Sequence, residues 1–158
     1  MERVNLILNN PEFLDYLNKN EALEVNRIYC HHDIQHFLDV SRIAYAIDME
    51  EKLNIDKEIV YAAGLLHDIG RWMEYEKSID HAIASAELSL GILQKCGFSE
   101  EETKEIFHAI LGHREKVNSS SLGDLLYRAD KLSRNCNICK ARGTCYKFQK
   151  GGKPYLFY

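Results

Sequence analysis

The segment AAGLLHDIGRW, residues 62–72, sets His67 and Asp68 side by side at the end of the most apolar run in the chain. An unpaired carboxylate is costly to bury, so Asp68 needs a strong partner, and such a pair is either a metal site or a satisfied cap. Other apolar helices pose the same problem. His36 starts a stripe that continues through Val40, Ala44 and Ile47, and Asp130 lies among Leu126, Ala129 and Leu132. His81 opens one helix and His113 closes another. Neutral imidazole and carboxylate oxygen together suit Zn, Mn, Fe and similar divalent ions. Polar groups on several apolar helices are hard to satisfy except around a shared cation. His108 competes with His113, but a five-residue step turns about 140° around a helix, so both cannot face one point. The apolar neighbours Phe107, Ile110 and Leu111 favour His113 as the inward group, which leaves His108 in a supporting or surface place.

A second constellation lies in RNCNICKARGTCYKF, residues 134–148. Cys136 and Cys139 are separated by two residues, a spacing that lets two thiolates reach one ion, and Cys145 follows after five more. Three ligands are one short of a closed zinc site; Cys30 is the expected fourth, with His31 or His32 as substitutes. Zinc and a cubane iron–sulfur cluster both fit such a set, and three free thiols are the remaining reading. Cys96, beside Gly97, reads as an ordinary buried thiol.

The elements that must position these groups are helices. Asn10 and Pro11 open a short helix through about Leu17, and Asp33 caps a longer one through about Lys52 with Phe37, Val40, Ile43, Ala44 and Ile47 on one face. Asp56 caps a helix apolar nearly all round, which predicts a central, enclosed position, with Gly70 placed to end it. Asp80 caps the next, stopped by Gly97; Ser99 and Glu102 form a capping box; and SLGDLLYRADKLSR makes the last, with Leu122, Leu125, Leu126, Ala129 and Leu132 inward. Nothing reads as strand or hairpin. The expectation is all-α: a compact bundle of about six helices over 1–134. An irregular, basic, cysteine-containing tail, 135–158, packs on the same domain, its Gly143, Gly151, Gly152 and Pro154 arguing against regular structure.

With 158 residues, 46% hydrophobic and 28% charged, the chain can bury about two thirds of its unfolded surface, and no low-complexity tract interrupts it. The N-terminal apolar run is too short for a signal peptide or a membrane span, so the expected location is cytoplasmic, where disulfides are improbable. Lys131 to Tyr158 holds seven Lys or Arg and no acid, so the formal charge of −4 becomes −11 for everything before it. A basic tail bearing thiolates needs cations to balance them. In composition it resembles basic metal knuckles that bind RNA, but the acidic remainder would repel a long polyanion. Nucleic acid and membrane are therefore not the expected partners, and oligomeric state is not legible.

The chain of motifs resembles the HD superfamily of metal-dependent phosphohydrolases, named for its adjacent His-Asp pair. HFLDVSRIAYAI supplies His36, GLLHDIGR supplies His67 and Asp68, and LLYRADKLS supplies Asp130; the resemblance covers about residues 30–134. DHAIASAEL and AILGHR are similar to the segments with which many members hold a second metal, so His81 and His113 carry over, with Asp68 bridging. A one-metal site would instead leave both histidines for substrate phosphate or a leaving group. The resemblance implies Mn, Fe, Mg, Zn or Ni at this centre and a small phosphorylated, nucleotide-like substrate cleaved by metal-activated water. Asp68 is the general-base candidate. Arg71 and Arg114 are candidate phosphate holders, or surface arginines, and Lys131 is expected in solvent. Trp72, Tyr75 and Tyr29 either stack on a base or pack in the core. The alternatives are a non-catalytic regulator responsive to nucleotide or redox state, and a di-iron oxygenase of the same type.

Overall fold

The computed structural model describes residues 1–114, 120–149, 151 and 153–158; Gly152 of the tail lies outside the described residues. Among them the chain forms eight α-helices and a short 3-10 turn, with no strand. The helices are α1 Glu2–Leu8, α2 Pro11–Glu24, α3 Ile34–Glu51, α4 Lys57–Leu66, α5 Arg71–Lys77, α6 His81–Lys95, α7 Glu100–Gly112 and α8 Ser121–Leu132. The 3-10 turn is Arg142–Thr144. No described helix is long and apolar enough to cross a membrane.

The six expected helices are α2, α3, α4, α6, α7 and α8. Their starts are where the capping residues put them: the side chains of Asn10, Asp33, Asp56, Asp80, Ser99 and Ser120 each accept a backbone N–H from the first turn. The Ser99–Glu102 box is complete in both directions. Two seven-residue helices, α1 and α5, are additions, and both are too short to persist without tertiary packing. Val4 and Ile7 bury the inner face of α1, and Trp72 buries that of α5. α4 stops at Leu66, and a turn over 67–70 leads to Gly70, which N-caps α5.

α2 runs about two turns past the expected end at Leu17. Its buried stripe is Phe13, Leu17, Asn20 and Glu24, a single helical face whose second half is polar. α4 is the hub, packing against α1, α3, α6, α7 and α8. Val60, Ala62, Ala63, Leu65 and Leu66 are wholly buried on it, and Val60, Leu65 and Leu66 each contribute about 1.5–3 kcal/mol. The close approach of α3 needs Gly64: a Cβ there would fall 2.3 Å from Ser41 Oγ and 2.8 Å from Ser41 Cα. Gly70 performs the same service for α6, where a Cβ would lie 2.6 Å from Ser85 N.

Past Asp130 no described residue is buried. The tail is a succession of turns, with Cys145 N–H donating to Arg142 O at 3.2 Å and Phe148 N–H to Cys145 O at 3.0 Å.

Candidate metal centre

The end of α4 delivers His67 and Asp68 to the middle of the bundle, where they are 0% and 3% exposed. The turn that carries them is pinned from two sides. Asn20, fully buried on α2, donates to Asp68 O at 3.0 Å and accepts Trp72 N–H at 2.7 Å, while Gly70 N–H donates to Ser85 Oγ at 2.9 Å.

Asp68 presents its two oxygens to different histidines. Oδ2 lies 3.3 Å from His67 Nε2 and 3.6 Å from His32 Nε2, whereas Oδ1 lies 3.3 Å from His81 Nε2 and 3.6 Å from His113 Nε2. Across the site, Asp130 Oδ1 is 3.6 Å from His36 Nε2. Three sets of groups thereby bring ligand atoms within 4.8 Å of one another: His36, His67 and Asp130; Asp68, His81 and His113; and His32, His36 and Asp68.

The imidazoles are oriented from behind. His67 Nδ1 pairs with Gly64 O at 2.7 Å and His113 Nδ1 with Ile110 O at 2.6 Å, so each N–H points at a helix carbonyl and each Nε2 lone pair points inward. His81 Nδ1 meets Glu74 Oε2 at 2.7 Å. His36 Nδ1 faces Ser133 Oγ at 3.3 Å, and that hydroxyl donates to Asp130 O.

The residues fit a cation. His36 Nε2, His67 Nε2 and Asp68 Oδ1 are buried without a hydrogen-bond partner, an arrangement that ordinarily costs about 1–3 kcal/mol per group. Five imidazoles gathered around the carboxylates of Asp68 and Asp130 form donor sets for divalent first-row ions. Their protonation suits it too. Burial, helped by the charge of His67, pushes the His36 imidazole down to about 4. Asp68 and Asp130 both stay ionised against burial: His67 and His113 hold Asp68 well below the usual carboxylate range, and Arg134, His67 and Lys131 do the same for Asp130.

Of the expected site residues, His36, His67, Asp68, His81, His113 and Asp130 come together. His108 is exposed on α7. His32 is a correction: named only as a substitute in the cysteine set, it faces Asp68 instead, because buried Glu24 accepts its backbone N–H at 2.7 Å and meets its Nδ1 at 2.5 Å. Tyr75 donates to the same Glu24 oxygen at 2.5 Å. His31 is exposed. Neither Glu24 nor Asn20 has a motif; the signal was their place on the stripe of Phe13 and Leu17.

A cavity of about 580 Å³ opens over Asp68, His81, His113 and Asp130. Arg71 lines it, half-buried, with Nη1 against the His81 ring and Nε donating to Tyr75. Arg114 lines it too, exposed and bonded to Asp80 at 2.6 Å. Lys131 is partly exposed, as expected, but together with Arg134 it pairs with Asp130 Oδ2, leaving Oδ1 to His36. Trp72 turns away and stacks on Tyr16, ring centres 6.1 Å apart, while Tyr29 lines the mouth. Cys30, Cys136, Cys139 and Cys145 line the same mouth, and Cys96 is buried in the core.

Comparison with known proteins places this arrangement. The HD domain family model matches residues 33–135. A relative from Clostridium beijerinckii, described as an uncharacterized protein, is 47% identical over 145 residues, 92% of each chain. Ribonuclease Y from Oleidesulfovibrio alaskensis is 32% identical over 124 residues, and that of Geobacter sulfurreducens 33% identical over 124 residues. Both alignments cover 78% of this chain, which spans 21% of the ribonuclease. A crystal structure of a predicted HD superfamily hydrolase from an uncultured Thermotogales bacterium superposes with a TM-score of 0.61 at 33% identity, covering 83% of this chain and 66% of that one.

Proposed function

The chain belongs to the HD domain family, and from that membership we propose that it is a metal-dependent phosphohydrolase acting on an ester or anhydride of a nucleotide-like small molecule. The observation that carries the reading is the two-faced Asp68, whose oxygens divide four histidines between them. His36, His67, Asp68 and Asp130 would hold one divalent ion, drawn from Mn, Fe, Mg, Zn or Ni, and Asp68, His81 and His113 a second. Such ions, when bound, supply an activated water and neutralise phosphoryl oxygens.

The chain's own residues do the rest. Asp68, ionised and lacking a hydrogen-bond partner at Oδ1, is the acceptor for the attacking water's proton. Arg71, fixed between Tyr75 and His81, holds phosphate oxygens at the cavity wall, and Arg114 extends that grip at the rim. A cavity of about 580 Å³ is within the usual size range for small-molecule sites. Tyr29 at its mouth offers a face for a base. In this reading the cysteine-rich tail holds a structural zinc ion or iron–sulfur cluster, and the protein works in the reducing cytoplasm.

A second reading is hydrolysis of an RNA phosphodiester, favoured by the ribonuclease Y relatives and by the cations of the tail at the cavity mouth. Turnover of a panel of nucleoside mono-, di- and triphosphates and a short RNA, each with added Mn, Fe or Mg, tests both. Asp68→Ala should lower turnover of the cleaved substrate by about 10³-fold or more. If no phosphate ester or anhydride is cleaved with any metal, the hydrolase reading fails.

A further inference from the structure

The tail is built the wrong way round for a segment packed by its own apolar side chains. Ile138 and Tyr146 are 76% and 75% exposed, while Cys136, Cys139 and Cys145 are tucked partly inward. With no described residue buried after Asp130, hydrophobic packing contributes little to its conformation. Segments without a core are ordinarily stapled by disulfides or metals, and all four thiols here are free.

The fold gathers those thiols. The Tyr29 hydroxyl reaches Thr144 O and Oγ1, both at 3.4 Å, which joins the residue before Cys30 to the residue before Cys145. Cys139 and Cys145 lie at either end of one coiled stretch, Arg142 N–H donating to Cys139 O and Cys145 N–H to Arg142 O. Burial, and after it Cys30 and Cys139, push the Cys136 thiol up, and Lys147 and Arg134 oppose them. A cluster of thiolates needs such cations beside it. Arg134 pairs with Asp130 at 3.2 Å and lines the same cavity as Cys136. Arg134, Arg142 and Lys147 line the same cavity as Asp68.

We propose that Cys30, Cys136, Cys139 and Cys145 form a second metal site, for zinc or an iron–sulfur cluster, and that loading it builds the cationic wall that grips the substrate's phosphate. Among the described residues, no three of these sulfurs lie within 4.8 Å of one another. Tetrahedral zinc, with bonds of about 2.3 Å, brings sulfurs to about 3.8 Å. Loading therefore draws the loop inward and carries Arg134, Arg142 and Lys147 with it. The metal site stands on the thiols alone; what the wall grips rests on the hydrolase reading.

The decisive protein is the full chain purified without oxygen as the double variant His36→Ala/Asp68→Ala, which dismantles the His/Asp centre. Elemental analysis should find about one zinc, or several irons with acid-labile sulfide, per chain, and the further change Cys136→Ser/Cys139→Ser should remove them. X-ray absorption of the loaded metal in the unaltered protein should show a sulfur shell near 2.3 Å. Zinc and iron both below a tenth of an equivalent after incubation with either metal, or a shell of nitrogen and oxygen only, overturns the site. Calorimetric titration of the unaltered protein with inorganic phosphate reads the wall: Cys145→Ser should weaken phosphate binding about tenfold while leaving the His/Asp metal in place. Unchanged phosphate affinity in that variant overturns the wall. None of these readouts requires turnover, so a failed hydrolase reading remains distinguishable from a failed thiol site.

Discussion

Glu24 Oε1 lies 2.5 Å from His32 Nδ1, and Glu24 Oε2 accepts the backbone N–H of the same residue at 2.7 Å. One carboxylate thus fixes both the ring and the main chain of a histidine that faces Asp68. A buried carboxylate would normally be driven towards the neutral form. Here the His32 hydrogen bond and charge, with Tyr75, overcome burial and hold Glu24 down to about 2. An ionised partner behind an imidazole fixes its tautomer and strengthens it as a ligand, and losing one typically costs 10–100-fold in metal affinity. Glu24→Gln is expected to weaken Mn²⁺ binding by about that factor with little loss of helicity. Tyr75→Phe, which keeps the carboxylate, should cost less. Equal affinity of Glu24→Gln and the unaltered protein in equilibrium dialysis would remove His32 from the site.

The division of Asp68 between two histidine pairs leads to a count. Two Mn²⁺ should bind per chain. His81→Ala takes one ligand from the Oδ1 side and should leave one ion, because His36, His67 and Asp130 are untouched. Asp68→Ala takes a ligand from both sides and should weaken both. Native mass spectrometry of metal-titrated protein reads these numbers directly. A single ion in the unaltered protein, unaffected by His81→Ala, would hand His81 and His113 to the substrate.

Much of this centre was legible because its residues break a pattern. Asp130 among leucines and His67-Asp68 ending an apolar helix are visible anomalies, since a buried charge must be satisfied by something. Asn20 and Glu24 break the same kind of pattern on α2, but a stripe that turns from Phe13 and Leu17 to polar side chains reads as a helix ending. Only the tertiary fold shows that the helix continues in order to brace the His-Asp turn. His32 was visible as a residue and misplaced as a partner: beside Cys30 in sequence, it is drawn towards Asp68 by Glu24, eight residues earlier on another element. Five of the six expected helices were readable from caps, which are local, and the last from its leucine stripe, whereas α1 and α5 exist through contacts that local sequence does not encode.

Gly64 connects packing to the centre. It lets α3 approach α4, and its carbonyl orients His67 through the 2.7 Å bond to Nδ1. Alanine there would put a methyl 2.8 Å and 2.9 Å from Ser41 Cα and N, backbone atoms that cannot rotate aside. Overpacking of this kind costs about 1–3 kcal/mol, or roughly 3–10 °C in Tm for a chain of this size. Because α3 carries His36 and α4 leads to His67, Gly64→Ala should also weaken metal binding. Gly91→Ala is the control, since a Cβ there meets nothing within 4 Å; it should leave Tm unchanged or raise it slightly. Similar Tm values for the two variants in differential scanning calorimetry would refute the packing argument.

Arg3 ties three helices together through charge. Its Nε is 2.7 Å from Glu58 on α4 and its Nη1 2.8 Å from Glu102 on α7. Glu58 is held down to about 2, first by the amine of Met1 and, against some burial, by Arg3. A carboxylate with a folded pKa below its ordinary 4.5 binds fewer protons folded than unfolded. The stability it contributes is present above about pH 4.5 and drains away as pH falls towards 2. The pair is partly exposed, so the amount is about 1 kcal/mol or less rather than the full value of the shift. Glu58→Gln should therefore lower Tm by about 2–4 °C at pH 7, and the gap to the unaltered protein should close between pH 4.5 and 2. A gap that is the same at pH 7 and pH 3 in thermal melts would show that Glu58 acts through shape rather than charge.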